Sequence, residues 1–414
     1  MNGSAAIWFG DIREKEPAMD LSQSFEGIRV CDLSQGIAGP HATMLLAQYG
    51  AEVVKVEPPV GDWGRLLGPQ CEDHCAHSWH YNLGKKSIAL NLKAAAGQEI
   101  LTKIASQCDI FIESFRPGVI SRLGFSYEAV KAIRPDVIYV SVSGFGQTGP
   151  YSQRGTVDSL IQGFSGMMVM NRTAEGVPQR QGMVAADVVT GLYVFSSLTA
   201  ALASRQQTGE GGYLDLSLMQ AAAAFQGAKI AEFHASGGEP KSFYGPVGYL
   251  PTCDGGVSVS CRKEEHYALL CQVLGRADLT SDVRFKFGED RVRNETMLMQ
   301  VLAQLTQPWT TAALLKALQD VGVLVERVQS YGEWLNNEQV LAMGAYRWMN
   351  AGALGQLPLV SLPGIGAPRP NRCRSPGIGQ DSIAVCRQFG VGESLIDQAT
   401  ERLTAINKSP RKAP

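Results

Sequence analysis

Asp187 is the residue whose setting most demands an explanation. It is the one charge in the run from Met183 to Val189, at the point where a long apolar helix is predicted to begin. A carboxylate there is costly unless it caps the helix or reacts. The two roles are compatible, because amides at a helix N-terminus keep a nucleophilic carboxylate ionised.

Three other groups of residues have the types and spacing for chemistry. Gly144-Phe145-Gly146-Gln147-Thr148-Gly149 follows the predicted strand Val137–Ser141 with the spacing of a dinucleotide-binding loop. Such a loop must open a helix whose amides meet pyrophosphate, yet Pro150, Tyr151 and Ser152 follow at once, which favours a tight loop pressed against a ligand or a neighbouring chain. Cys71, His74, Cys75, His77 and His80 join the sulfur and imidazole that zinc prefers. No second ligand pair stands at a matching distance, so they read as a polar loop and no metal is assigned. Lys85, Lys86, Lys93, Arg116 and Arg122 surround two turns, one of them Pro117-Gly118, where a helix opens. Arg beside a helix N-terminus suits phosphate, and together these cations could hold a ligand with several phosphates.

These residues need a scaffold, and the first third of the chain describes one. Short apolar runs at 28–33, 53–57, 109–113 and 137–141 alternate with helical stretches at 41–49 and 94–107, and a further strand is predicted at 213–218. The alternation implies parallel strands with crossover helices: an α/β, Rossmann-like large domain with a parallel sheet, plus a smaller α+β domain. We expect a loose leader over 1–25, with Met19 as an alternative start, and the large domain over 26–218. A linker helix and connector over 219–248, the small domain over 249–335, and a segment over 336–414 that returns to the large domain complete the chain.

Composition narrows the function. With 37 Lys+Arg against 39 Asp+Glu, the formal charge of -2 excludes a basic footprint for nucleic acid or acidic lipid, so an anion must be held locally. The 45 glycines exceed what turns need and imply backbone packed closely against backbone or ligand. Nine cysteines, an odd number in a long chain, suit a reducing cytoplasm. Asp11, Arg13, Glu14, Lys15 and Glu16 leave no room for a secretory signal. Residues 188–204 are uncharged but shorter than the ~20 a membrane span needs, and Thr190, Ser196, Ser197 and Thr199 suit a buried helix better.

Taken in order, the residues resemble the class III CoA-transferases (CaiB/BaiF type), the family of formyl-CoA transferase and carnitine CoA-transferase. The resemblance rests on Asp32-Leu33-Ser34 with Ala38-Gly39-Pro40, on Gly50-Ala51-Glu52-Val53-Val54-Lys55-Val56-Glu57, and on Glu113-Ser114-Phe115-Arg116-Pro117-Gly118. It continues through Arg122-Leu123-Gly124, the loop Ser143–Tyr151, and Asp187 before its helix. It implies a CoA-binding large domain, an inserted small domain and an interlocked homodimer. The family's nucleophile falls on Asp187. Its CoA contacts fall on Ile37 and Ala38, on Leu90, Asn91, Leu92 and Lys93, on Ser114, Phe115 and Arg116, on Arg122, and on Gly155, Thr156, Val157 and Asp158. The implied substrates are acyl-CoA thioesters and small carboxylic acids, with short dicarboxylates such as succinate among them, and no tightly bound cofactor.

Two departures matter. The α-methylacyl-CoA racemases of the same fold place a histidine directly before the aspartate of this loop. Here that position is Val157, so a two-base racemase lacks one base. The glycine tetrad of formyl-CoA transferase has no equivalent near Val257–Glu265, and Pro58 replaces its base-contacting arginine, which argues against oxalate as acceptor.

Overall fold

The computed structural model describes residues 19–173, 175–238, 243–366 and 369–398. Most of the expected leader, residues 239–242 of the connector and the end of the C-terminal segment lie outside the described residues. The chain divides into two compact units. Within the described residues, the first holds 19–172, 178–225 and 344–398, and the second holds 173, 175–177 and 226–343.

The first unit is built on six parallel strands: β1 (Arg29–Leu33), β2 (Glu52–Glu57), β3 (Lys86–Ala89), β4 (Ile110–Glu113), β5 (Ile138–Ser143) and β6 (Gly212–Ser217). Their order across the sheet is β3-β2-β1-β4-β5-β6. The crossovers carry α1 (Ala38–Gln48), α2 (Ala76–Tyr81), α3 (Ala95–Ala105), α4 (Val119–Arg122), α5 (Tyr127–Ile133), α6 (Asp158–Phe164), α7 (Met167–Met170) and α8 (Ala185–Thr208). β4 and β5 are buried along their whole length, which is why they read as unbroken apolar runs. Leu33, Ile88, Phe111 and Tyr139 pack one face against α3, while Val30, Val53, Ile112 and Val140 pack the other against α1 and α8. Strand order reverses between β1 and β4, and in open α/β sheets the crevice beyond the strand ends at such a point holds ligands.

α8 was expected to be a buried helix, and one face of it is. Thr190, Gly191, Val194 and Leu198 are buried, whereas Leu192 and Tyr193 are exposed. It is long and apolar enough to cross a membrane by length and composition. The C-terminal segment covers the outer edge of the sheet: Asp381 Oδ2 accepts the Ser87 amide at 2.9 Å and the Asp381 amide donates to Ser87 O. The unpaired edge of β3 is thereby closed by the chain itself.

Beneath the switch point lies a cluster of six buried charges. Lys55 Nζ donates to Asp62 Oδ2 at 2.8 Å and to Ser34 O at 3.0 Å. Asp62 Oδ1 accepts the amides of Gly36 and Gly64. Glu57 accepts both Nε and Nη2 of Arg65 at 2.7 Å, as well as the amide of Asp62. Asp32 accepts Lys85 Nζ at 3.1 Å and Thr43 Oγ1 at 2.6 Å. The cluster corrects the reading of Lys85 as a ligand-facing cation: its side chain is fully buried and paired. Lys86 is engaged as well, with Glu52 and Gln388.

The second unit holds an antiparallel sheet of order β7 (Val247–Thr252), β8 (Gly255–Ser260), β9 (Leu324–Arg327). Leu250, Val257 and Val259 pack there with Tyr267, Leu298, Leu302 and Leu314. The linker helix expected after 218 is two helices, Leu218–Phe225 in the first unit and Gly227–Ser236 in the second.

Breaking a buried ion pair from one side leaves an uncompensated charge. Lys55→Met is therefore expected to cost about 3–5 kcal/mol in urea unfolding. Lys316→Ala, which removes an exposed pair with Asp320, should leave the midpoint unchanged.

Candidate active site

Three loops leave the C-terminal ends of β1, β4 and β5 and surround a cleft of about 160 Å³. The first brings Gln35, Ile37 and Ala38, the second Ser114, Phe115 and Arg116, and the third Ser143, Gly144 and residues 154–157. Asp187 lines the same cleft from the first turn of α8. The loops are tied to each other: Ser114 Oγ accepts the Gln35 amide at 2.8 Å, and Gln153 Nε2 donates to Pro117 O.

Glycine permits two close approaches here. A Cβ at Gly36, whose φ is +78°, would stand 2.2 Å from Trp63 Cζ2, and a Cβ at Gly155 would stand 2.7 Å from Arg116 Nη2. The indole of Trp63 and the guanidinium of Arg116 thus lie directly on backbone. No helix opens at Gly144–Gly149; the chain runs as turn and loop until α6 at Asp158. The pyrophosphate-binding helix that a dinucleotide site requires is missing there.

The structure corrects the capping role considered for Asp187. The residue before α8 is Val184, and Asp187 lies within the first turn. The helix amides are taken by Asp158, whose Oδ1 accepts from Ala186 N at 2.8 Å and from Asp187 N at 3.2 Å. Its Oδ2 accepts Gln162 Nε2 at 2.7 Å, and Gln162 Oε1 accepts the Gln181 amide. Burial, and next the charge of Asp158, push the carboxyl of Asp187 up to about 7. The expectation that helix amides hold Asp187 ionised fails because those amides serve its neighbour. Burial and then the Asp187 charge raise the Tyr81 phenol to about 12, so it stays protonated.

Of the other residues expected at the site, Leu90 is buried in the core and Leu92 packs against it. Asn91 Oδ1 accepts the Lys93 amide. Lys93 and Arg122 are exposed, and Asp158 is buried beneath the cleft; none of these six lines it. Sequence reading missed Trp63 and Arg154, which line the cleft and whose signal is spatial. The Cys/His group disperses: Cys75 caps α2, Cys71 Sγ donates to Ala353 O, and His77 and His80 pack on Tyr81. Among the described residues, no three His, Cys, Asp or Glu side chains converge as metal ligands.

The parallel sheet with a loop-built cleft at its switch point defines an α/β ligand-binding enzyme fold. Residues 25–382 match CoA-transferase family III, and the chain belongs to that family and is a CoA-transferase. It is 32% identical over 370 residues to succinyl-CoA:glutarate CoA-transferase of Mus musculus, covering 87% of this chain and 84% of that one. It is 33% identical to acetyl-CoA:oxalate CoA-transferase of Acetobacter aceti, covering 77% and 84%. A solved CAIB/BAIF family protein from Brucella suis superposes with a TM-score of 0.79 at 30% identity, covering 90% of this chain and all of that one.

A carboxyl whose pKa rises on folding loses stability as pH climbs from its ordinary value, about 4, to its folded value, about 7. Asp187→Asn is therefore expected to be more stable than the unmodified chain at pH 8 by about 2 kcal/mol, allowing for partial exposure. The gain should vanish near pH 4, as read by urea unfolding at both pH values.

Proposed function

We propose that this chain moves CoA from a dicarboxylic acyl-CoA such as succinyl-CoA to a second carboxylic acid, with Asp187 as covalent nucleophile. The observation that carries this reading is the half-buried carboxylate of Asp187 in a cleft it shares with Ile37, Ala38, Ser114, Phe115 and Arg116. The dicarboxylate class is supported by the glutarate transferase among its relatives.

In the reaction, an oxygen of ionised Asp187 attacks the thioester carbonyl, and the C–S bond breaks to give a mixed anhydride and CoA thiolate. The thiolate attacks the Asp187 acyl carbon, releasing the donor acid and leaving an aspartyl-CoA thioester. The acceptor carboxylate attacks that thioester, regenerating an anhydride and the thiolate. The thiolate then attacks the acceptor's acyl carbon and frees Asp187. Binding of the remote nucleotide keeps the thiolate at high effective concentration between steps. Of the CoA contacts expected from the family, we retain those lining the cleft as contacts for the reacting end, and assign Leu90–Lys93 and Arg122 to the nucleotide.

We also propose a cytoplasmic homodimer. The nine cysteines are all free, which suits a reducing compartment. The exposed face of α8 at Leu192 and Tyr193 is apolar surface of the kind that partners cover.

The reading is tested by trapping. The protein is incubated with acyl-CoAs and hydroxylamine, digested, and searched by mass spectrometry for a hydroxamate on the peptide containing Asp187. One donor should yield it, and Asp187→Ala should abolish it. No label at Asp187, with deuterium entering the acyl α-carbon from heavy water, would replace transfer by racemase-like chemistry. Because only the ionised carboxylate attacks, kcat/KM should rise with pH through about 7. Asp158→Asn keeps an acceptor for the helix amides but removes the repelling charge, so this rise should move roughly one pH unit lower.

A further inference from the structure

Two cations line the cleft without a carboxylate partner among the described residues: Arg116 and Arg154. Arg116 lies against the Gly155 backbone, in the stretch expected to meet CoA. Nothing assigns Arg154 a task, yet its position is prepared. Its guanidinium carbon sits 5.3 Å from the ring centroid of Tyr151 and 5.9 Å from that of Phe145. Phe145 is in turn held edge-on by Tyr151 and Phe164, at 5.7 and 5.1 Å. The Arg154 amide closes a turn onto Tyr151 O at 2.9 Å, fixing the side chain's origin.

A guanidinium lying over aromatic rings leaves N–H donors for a ligand, and its planar fork matches a carboxylate in a two-bonded geometry. In the proposed reaction one carboxylate of the acid substrate exchanges with Asp187, so a second on the same acid needs its own cation. We propose that Arg154 selects the acid substrate by binding a second carboxylate at the end remote from the reacting one. The proposal rests on the dicarboxylate reading above. A CoA phosphate offers the same oxyanion chemistry, and the experiment separates the two.

The unmodified chain, Arg154→Gln and Arg154→Lys are compared at saturating succinyl-CoA with glutarate or the monocarboxylate valerate as acceptor, and free CoA is titrated onto each. In Arg154→Gln the KM for glutarate should rise at least tenfold with kcat within about threefold, while the KM for valerate and the Kd for free CoA stay unchanged. Arg154→Lys should recover part of the glutarate KM, since it restores charge without the fork. Equal loss on both acids together with weaker CoA binding would assign Arg154 to a phosphate and overturn the proposal. An unchanged glutarate KM in Arg154→Gln would overturn it as well. If the unmodified chain serves valerate as well as glutarate, the dicarboxylate reading itself fails, a result distinct from any effect at Arg154.

Discussion

The cleft depends on the buried pairing of Lys55 with Asp62. Lys55 projects from β2, and its ammonium holds both the carbonyl of Ser34 at the end of β1 and the carboxylate of Asp62. Asp62 in turn holds the amides of Gly36 and Gly64. A single ion pair thus sets the loop carrying Ile37 and Ala38 against the turn carrying Trp63. Charges in such a setting add little net stability over apolar packing, because desolvation offsets much of their attraction. What they add here is direction: apolar side chains could fill the space but could not pin two loops through named hydrogen bonds. Three cations and three carboxylates interleave, so the cluster carries no net charge beneath a cleft that admits anions.

A second conflict of charge sits at the first turn of α8. The free amides of a helix start are its best asset for a carboxylate, and the chain gives them to Asp158. Asp187 is left in a half-buried place beside a like charge, which raises its proton affinity. A more basic carboxylate is a better nucleophile once ionised, so the arrangement trades folding free energy for reactivity, as functional sites commonly do.

Much of the scaffold was legible because its code is local. The apolar runs at 28–33, 109–113 and 137–141 mark β1, β4 and β5 within a residue or two, since strands buried on both faces need no alternation. β3 is harder to delimit, because Leu90 and Leu92 stay in the core after its pairing ends at Ala89. The site was legible in part. Asp187 stands out as a charge in an apolar run, but its relation to Asp158 crosses 29 residues and leaves no trace in either neighbourhood. Lys85 looks like a surface residue, since its partner Asp32 lies 53 residues away on β1 and comes within reach only when the sheet forms, whereas Lys55 meets Asp62 across a turn of seven residues. Trp63 and Arg154 come from different loops, and only the topology shows that they face one cleft.

Val157 and Asp158 are neighbours with opposite duties. Asp158 is buried and holds α8 in place, while Val157 is half-exposed at the cleft wall and contributes no side-chain cap to α6. The cost of folding is concentrated on one residue, and the adjacent one is released from it. In evolutionary terms, position 157 can sample new side chains, including a proton-transferring one, with the nucleophile's helix undisturbed. A fold arranged in this way can change the reaction it catalyses by a single step while its architecture stays constant.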